Sequence, residues 1–252
     1  MEHADYAAVA AAIREQLLAY AAEVWAAATL DDEGLARLVE LMVPTVQAAQ
    51  EQIASYTSVY FGEVTGTDPV AVSSDVVDGR GVPAEQVYAR PIVTARTELS
   101  RGRSVEKALD AGGRRLQNLA GTDVQMAKVR QAHVSLQAGG ARFFRRVLTG
   151  RENCGLCVIA STQRYRRGNL MSIHPGCDCD IDVLPPGMDL DQVIDVDLLN
   201  STHDQVKAFA GVADRGGRAV DYRKLIVTHE HGEVGPVLAW RGQQFTSKAD
   251  LK

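Results

Sequence analysis

Four cysteines and a histidine that could share one metal ion fall within 26 residues, between Cys154 and Cys179, and no cysteine lies elsewhere in the 252-residue chain. The first pair is Cys154-Gly-Leu-Cys157, a spacing that turns two sulfurs toward one tetrahedral ion, with Gly155 easing the tight backbone. After sixteen residues comes His174-Pro-Gly-Cys177-Asp-Cys179, which adds three donors in six positions. Zinc takes four ligands and five are present, so one of them stands outside the first coordination sphere. Cys154, Cys157 and Cys179 are the expected ligands, with His174 or Cys177 as the fourth. Mixed sulfur and imidazole donors at paired spacing favour zinc over an iron–sulfur cluster. Disulfides normally close longer loops than this cluster would. The competing reading is four reduced, buried cysteines beside a loop histidine. A closed site with four protein ligands leaves no position for a reactive water, so the expected role is structural, clipping a segment too small to build its own core.

Other residue types that could do chemistry make weaker patterns. His229-Glu230-His231 lacks the spacing of a His-Glu-x-x-His zinc helix, and is expected at a surface or interface. A nuclease reading would recruit His133, His174 or His203 as a base, but no His-Asn-His order accompanies them. Arg142, Arg145 and Arg146 with Phe143 and Phe144, and Arg164, Arg166 and Arg167 with Tyr165, offer charge and stackable rings to a nucleic acid. They could equally pair with Asp178, Asp180 and Asp182.

Charge is unevenly spread around a net value of −5. Residues 1–100 carry 5 Lys/Arg and 15 Asp/Glu, residues 101–167 carry 14 and 4, and residues 168–252 carry 8 and 13. The basic middle is expected to dock on the acidic N-terminal third of this chain or of a neighbouring copy, with nucleic acid the lesser alternative. At 46% hydrophobic and 23% charged residues the composition is that of a globular protein. No apolar run reaches membrane-spanning length, and the acidic Met1-Glu2-His3-Ala4-Asp5 start is unlike a secretory signal, so synthesis in a cytoplasm is expected.

The elements that must carry the cluster are mostly helical. Val9, Ile13, Leu17, Tyr20 and Val24 predict a helix over 5–28. A second begins after Asp31-Asp32, with Pro44 expected to kink or end its first half before 46–60 continues. Gly62, Gly66, Pro69, Gly79, Gly81 and Pro83 predict a loop with at most a short helix. Helices are expected at 84–100 and from Ser104 to about Leu119, then, after a break at Gly121-Thr122-Asp123, over 123–138. Residues 142–148 predict a strand leading into the cysteines, followed near the end by a helix over 189–210 and short strands. The expected fold is mainly α, long helices followed by a small zinc-stabilised α+β module. Its regions are 1–83 (helical hairpin and loop), 84–150 (helical core), 151–186 (zinc module) and 187–252 (C-terminal helix and short strands).

The run Glu152-Asn-Cys154-Gly-Leu-Cys157-Val-Ile-Ala160-Ser161, then Tyr165, then His174-Pro-Gly-Cys177-Asp-Cys179, resembles the C-terminal signature of tailed-phage minor head proteins of the Mu F-like head-morphogenesis family, in the form common among actinobacteriophages. Thr228-His-Glu-His231-Gly232-Glu-Val-Gly235-Pro236, followed by Arg241-Gly-Gln-Gln-Phe245, is similar to that family's last stretch. The resemblance implies a non-enzymatic minor capsid protein near the portal vertex of a virion. It would be assembled in the host bacterial cytoplasm and act in head assembly or in DNA packaging and delivery. Its implied partners are portal, scaffold and capsid proteins, with possible contact to packaged DNA and none to membrane. Cys154, Cys157, His174, Cys177 and Cys179 take the family's metal positions. Ser161-Thr162-Gln163 departs from the Ser-Arg-Gly that relatives carry there.

Overall fold

A computed structural model describes residues 1–149, 155–166, 179–184, 191 and 193–200, together with the backbone of 226–231 and 235–240. The chain divides into two compact units, one of Met1–Glu63 and Asp68–Ala132, the other of Val64–Thr67 and the described residues from His133 onward. The first is helical; the second holds all the described strands.

In the first unit α1 (His3–Ala26) and α2 (Asp32–Thr65) form the expected pair. Ala10, Ile13, Leu17 and Ala21 recur on one face of α1, and Leu38, Met42, Val46 and Ile53 on one face of α2, all buried. Asp31 starts α2, its Oδ1 accepting the Gly34 N–H at 2.7 Å and the Thr29 hydroxyl at 2.8 Å. These bonds hold its carboxyl below the usual carboxylate range. The segment from Gly66 to Pro83 contains one turn of helix, α3 (Ser74–Val77), as the glycines and prolines predict. Helices α4 (Ala84–Ser100) and α5 (Val105–Ala138) complete the core with Val87, Tyr88, Ile92, Leu116, Leu119, Val124 and Ala127.

Two expectations need correction. Pro44 does not end the first half of α2, one of the two outcomes expected of it, and the helix runs for 34 residues through it. A proline inside a helix costs roughly 3 kcal/mol through one lost hydrogen bond and a ring clash, and the buried stripe continuing on both sides outweighs that. Gly121-Thr122-Asp123 does not break α5, also 34 residues long. All three are helical and lie close to other side chains: Gly121 faces Arg14, whose guanidinium is 3.1 Å from where a Cβ would stand, and Thr122 and Asp123 are buried. Packing overrides the local propensity of three weak helix formers. At Gly112, also within α5, a Cβ would fall 2.5 Å from the Trp25 ring, and Trp25 donates its Nε1–H to the Leu109 carbonyl at 2.9 Å.

The second unit is built on a three-stranded antiparallel sheet in the order β2-β1-β3, from β1 (Phe143–Val147), β2 (Arg164–Arg166) and β3 (Asp180–Val183). Phe144 stands opposite Tyr165 on one side and Val183 on the other; Arg146 stands opposite Ile181. One seven-residue helix, α6 (Gly155–Ser161), joins β1 to β2 in sequence. Strands β4 (Ile226–His231) and β5 (Gly235–Trp240) pair antiparallel, in the region expected to hold short strands. The chain is thus mainly helical with a small antiparallel sheet. Most of the helix expected over 189–210 lies outside the described residues. No helix among them is long and apolar enough to cross a membrane.

Candidate metal centre

Alternation along β1 sorts its side chains between two faces. Phe144 and Arg146 point one way, where both are buried, with the Phe144 ring stacked 5.4 Å from that of Tyr165. Tyr165 donates its hydroxyl to the Ala160 carbonyl of α6 at 2.7 Å, which ties the helix to this face. Cys157, on α6, and Cys179, just before β3, are both buried. Arg146 donates from a guanidinium nitrogen to Cys179 Sγ at 2.9 Å. Burial pushes the Tyr165 hydroxyl far above the ordinary tyrosine range; Arg146 opposes this, and Cys179 and Cys157 reinforce it. Tyr165 thus links this face to the helix that carries Cys157, and Arg146 links it to Cys179.

Of the five expected ligands, Cys157 and Cys179 lie here, while Cys154, His174 and Cys177 fall outside the described residues. Among the described residues no group of three or more His, Cys, Asp or Glu side chains could hold a metal. The donors present nonetheless fit zinc in kind: two buried soft sulfurs, one of them accepting a charged N–H, on elements that continue directly into the remaining candidates. Gly155 opens α6, so Cys154 is the residue before its first turn. Cys177 is two positions before Cys179.

The opposite face of the sheet is charged. Arg145 pairs with Asp182 at 3.2 Å across β1 and β3. The Arg164 guanidinium lies 4.3 Å from the centre of the Phe143 ring, and that of Arg142 lies 5.6 Å from it. Arg166 is exposed beside them. The arginines of this segment thus divide: Arg146 faces the sulfurs, Arg145 is engaged by an aspartate, and Arg142, Arg164 and Arg166 flank Phe143. Of the three histidines considered as bases, His133 alone lies among the described residues. His133 has its ring 2.7 Å from the Gln137 side-chain nitrogen, with burial lowering its pKa. His203 lies outside the described residues, and His229 and His231 are on β4, opposite Val237 and Gly235.

Sequence reasoning did not single out a second polar group, in the helical unit. Asp123 on α5 accepts from Arg80 Nε at 2.5 Å and from the Tyr88 hydroxyl at 2.6 Å, all three being buried. Burial first, then the Asp123 charge and its hydrogen bond, push the Tyr88 hydroxyl well above the normal range. A cleft of about 390 Å³ adjoins these groups, walled by Val43, Val46, Val82 and Val87. The signal for Asp123 was present: an isolated acid in the basic middle of the chain, at helical spacing from Leu116, Ala120 and Ala127. For Arg146 the signal was its place two residues from Phe144 in an alternating strand.

No protein-family model, curated protein or solved structure matches this chain.

Proposed function

We propose that this chain is a structural, non-enzymatic protein whose C-terminal α+β module is clipped by one zinc ion, and that it serves as a minor capsid protein near the portal vertex of a tailed phage, in head assembly or in DNA packaging and delivery. The observation that carries the zinc is that Cys157, on α6, and Cys179, bonded to Arg146 of β1, are both buried, with α6 tied to the β1 face by Tyr165, although the two cysteines are 22 positions apart in sequence. With Cys154 and one of His174 or Cys177 added, the ion is fully ligated by protein and has no open position for a reacting water. The virion role rests on the resemblance of the 152–179 signature and of the 228–245 stretch. Co-expression with the portal and scaffolding proteins of the same phage tests the placement. Sedimentation of this chain with procapsids, and its loss from particles lacking portal, is the expected result. Particles that assemble without it, or that carry it equally without portal, count against it.

A second reading, zinc-clipped nucleic-acid binding, is favoured by Arg142 and Arg164 against Phe143 with Arg166 beside them. Phosphate contacts through these arginines would weaken steeply as salt rises. Binding of a DNA duplex that is insensitive to Arg142→Ala and Arg164→Ala, or to ionic strength, would exclude it.

A further inference from the structure

We infer that Arg146 is a positioning residue of the metal centre, the buried cation that offsets the negative charge of a zinc–thiolate site and fixes the Cys179 sulfur. This rests on the zinc reading above and assigns a role to a residue outside the Cys/His signature. An arginine at 3% exposure is costly to place inside a protein unless its charge is met. Its contact with Cys179 Sγ, at 2.9 Å, is to an atom that is a weak acceptor as a neutral thiol and a strong one as a thiolate. Zinc with three cysteinates and one neutral histidine carries one negative charge, and zinc with four cysteinates carries two. A guanidinium beside the cluster reduces the cost of burying either set.

Strand register makes the arrangement specific. Arg146 stands opposite Ile181, and Cys179 lies two residues before Ile181, so both fall on the Phe144–Tyr165 face by alternation. Arg145, one position earlier, is directed to the other face and to Asp182. Adjacent residues of one type therefore have different work, and swapping a single arginine discriminates between them. The Tyr165 ring stacks on Phe144 and its hydroxyl is bonded to α6, the helix that carries Cys157.

The test uses the full chain and zinc alone, titrated against a chromophoric chelator under reducing conditions, for wild type, Arg146→Gln, Arg146→Lys and Arg145→Met. Loss of a residue that orients a metal ligand lowers metal affinity by about 10- to 100-fold. Arg146→Gln is expected to show that loss at unchanged stoichiometry. Arg146→Lys, which keeps the charge without the fork, is expected between it and wild type, and Arg145→Met is expected to bind as wild type does. Cobalt substitution adds a spectroscopic readout, a shifted sulfur-to-metal charge-transfer band in the Arg146 variants only. Wild-type affinity in Arg146→Gln overturns the inference, as does an equal loss in Arg145→Met. Where Arg146→Gln does not fold, wild-type affinity in Arg146→Lys overturns it. A wild-type chain that takes up no zinc removes the metal centre and the inference together, whereas a zinc-binding chain indifferent to Arg146 removes the inference only.

Discussion

Replacing Asp123 by alanine should be among the most damaging single changes in the helical unit. Its carboxylate is 5% exposed and meets an Arg80 side chain that is 7% exposed, at 2.5 Å. Removing one member of a buried ion pair leaves the other charge in a poorly solvated place, at a cost of about 3–5 kcal/mol. The Tyr88 hydroxyl loses its charged acceptor at the same time, and a hydrogen bond of that type contributes about 1.5–3 kcal/mol on its own. The two figures overlap, so the expected loss for Asp123→Ala is about 3–5 kcal/mol in total. Arg80→Met with Asp123→Ala should cost much less than the sum of the two single changes, because neither charge is then stranded. Urea unfolding followed by far-UV circular dichroism reads mainly the helical unit and gives all four corners of the cycle. A loss below about 1 kcal/mol for Asp123→Ala, or single costs that add within about 0.5 kcal/mol, would refute the reasoning. The same pair anchors the segment before α4. Gln50 donates to the Val77 carbonyl at 2.8 Å, Gln131 to Val70 at 3.0 Å, and Arg130 to Gly79 at 2.5 Å. Faster protease cleavage between 66 and 83 in Asp123→Ala is the local counterpart of the global loss.

Gly112→Ala should destabilise by about 1–3 kcal/mol, since its methyl group would stand 2.5 Å from the Trp25 ring and 2.8 Å from the Pro91 carbonyl, with backbone on one side; thermal melts with tryptophan fluorescence check it. Stability should fall on the alkaline side: the folded Tyr88 titrates well above 10.0, so the unfolded chain ionises first, and the stability present below pH 10 is lost as pH rises beyond it. The slope is about 1.4 kcal/mol per pH unit for that proton, and Tyr88→Phe should flatten it. Chelator treatment should expose 143–184 to protease while leaving the helical content near that of the untreated protein, because the described core of the first unit contains no cysteine.

Much of the helical architecture was legible because its signal is periodic. Leu38, Met42, Val46 and Ile53 mark the buried face of α2 directly, and Asp31 marks its start through a cap whose bonds are local. Pro44 and Gly121-Thr122-Asp123 misled because their effects on helix propensity are local, whereas the packing that overrides them comes from residues distant in sequence, such as Arg14 and Arg80 against the middle of α5. The cysteine spacing is a short-range pattern and so suggests donors from sequence alone; of the four, Cys157 and Cys179 lie among the described residues, both buried. The division of labour between Arg145 and Arg146 was not, since residue type predicts charge but only strand register determines which face receives it. The pairing of Asp123 with Arg80 was not legible for a similar reason: the two lie 43 positions apart in sequence.

The central claim is that one zinc ion holds the module around Cys157 and Cys179, and elemental mass spectrometry of the purified chain tests it most directly, with Cys157→Ser prepared in parallel. One zinc per chain, lost together with protease resistance of the 143–184 segment in the variant, is the predicted result. A wild-type chain free of zinc after reducing, chelator-free purification, or a Cys157→Ser chain that keeps its zinc, would contradict the account.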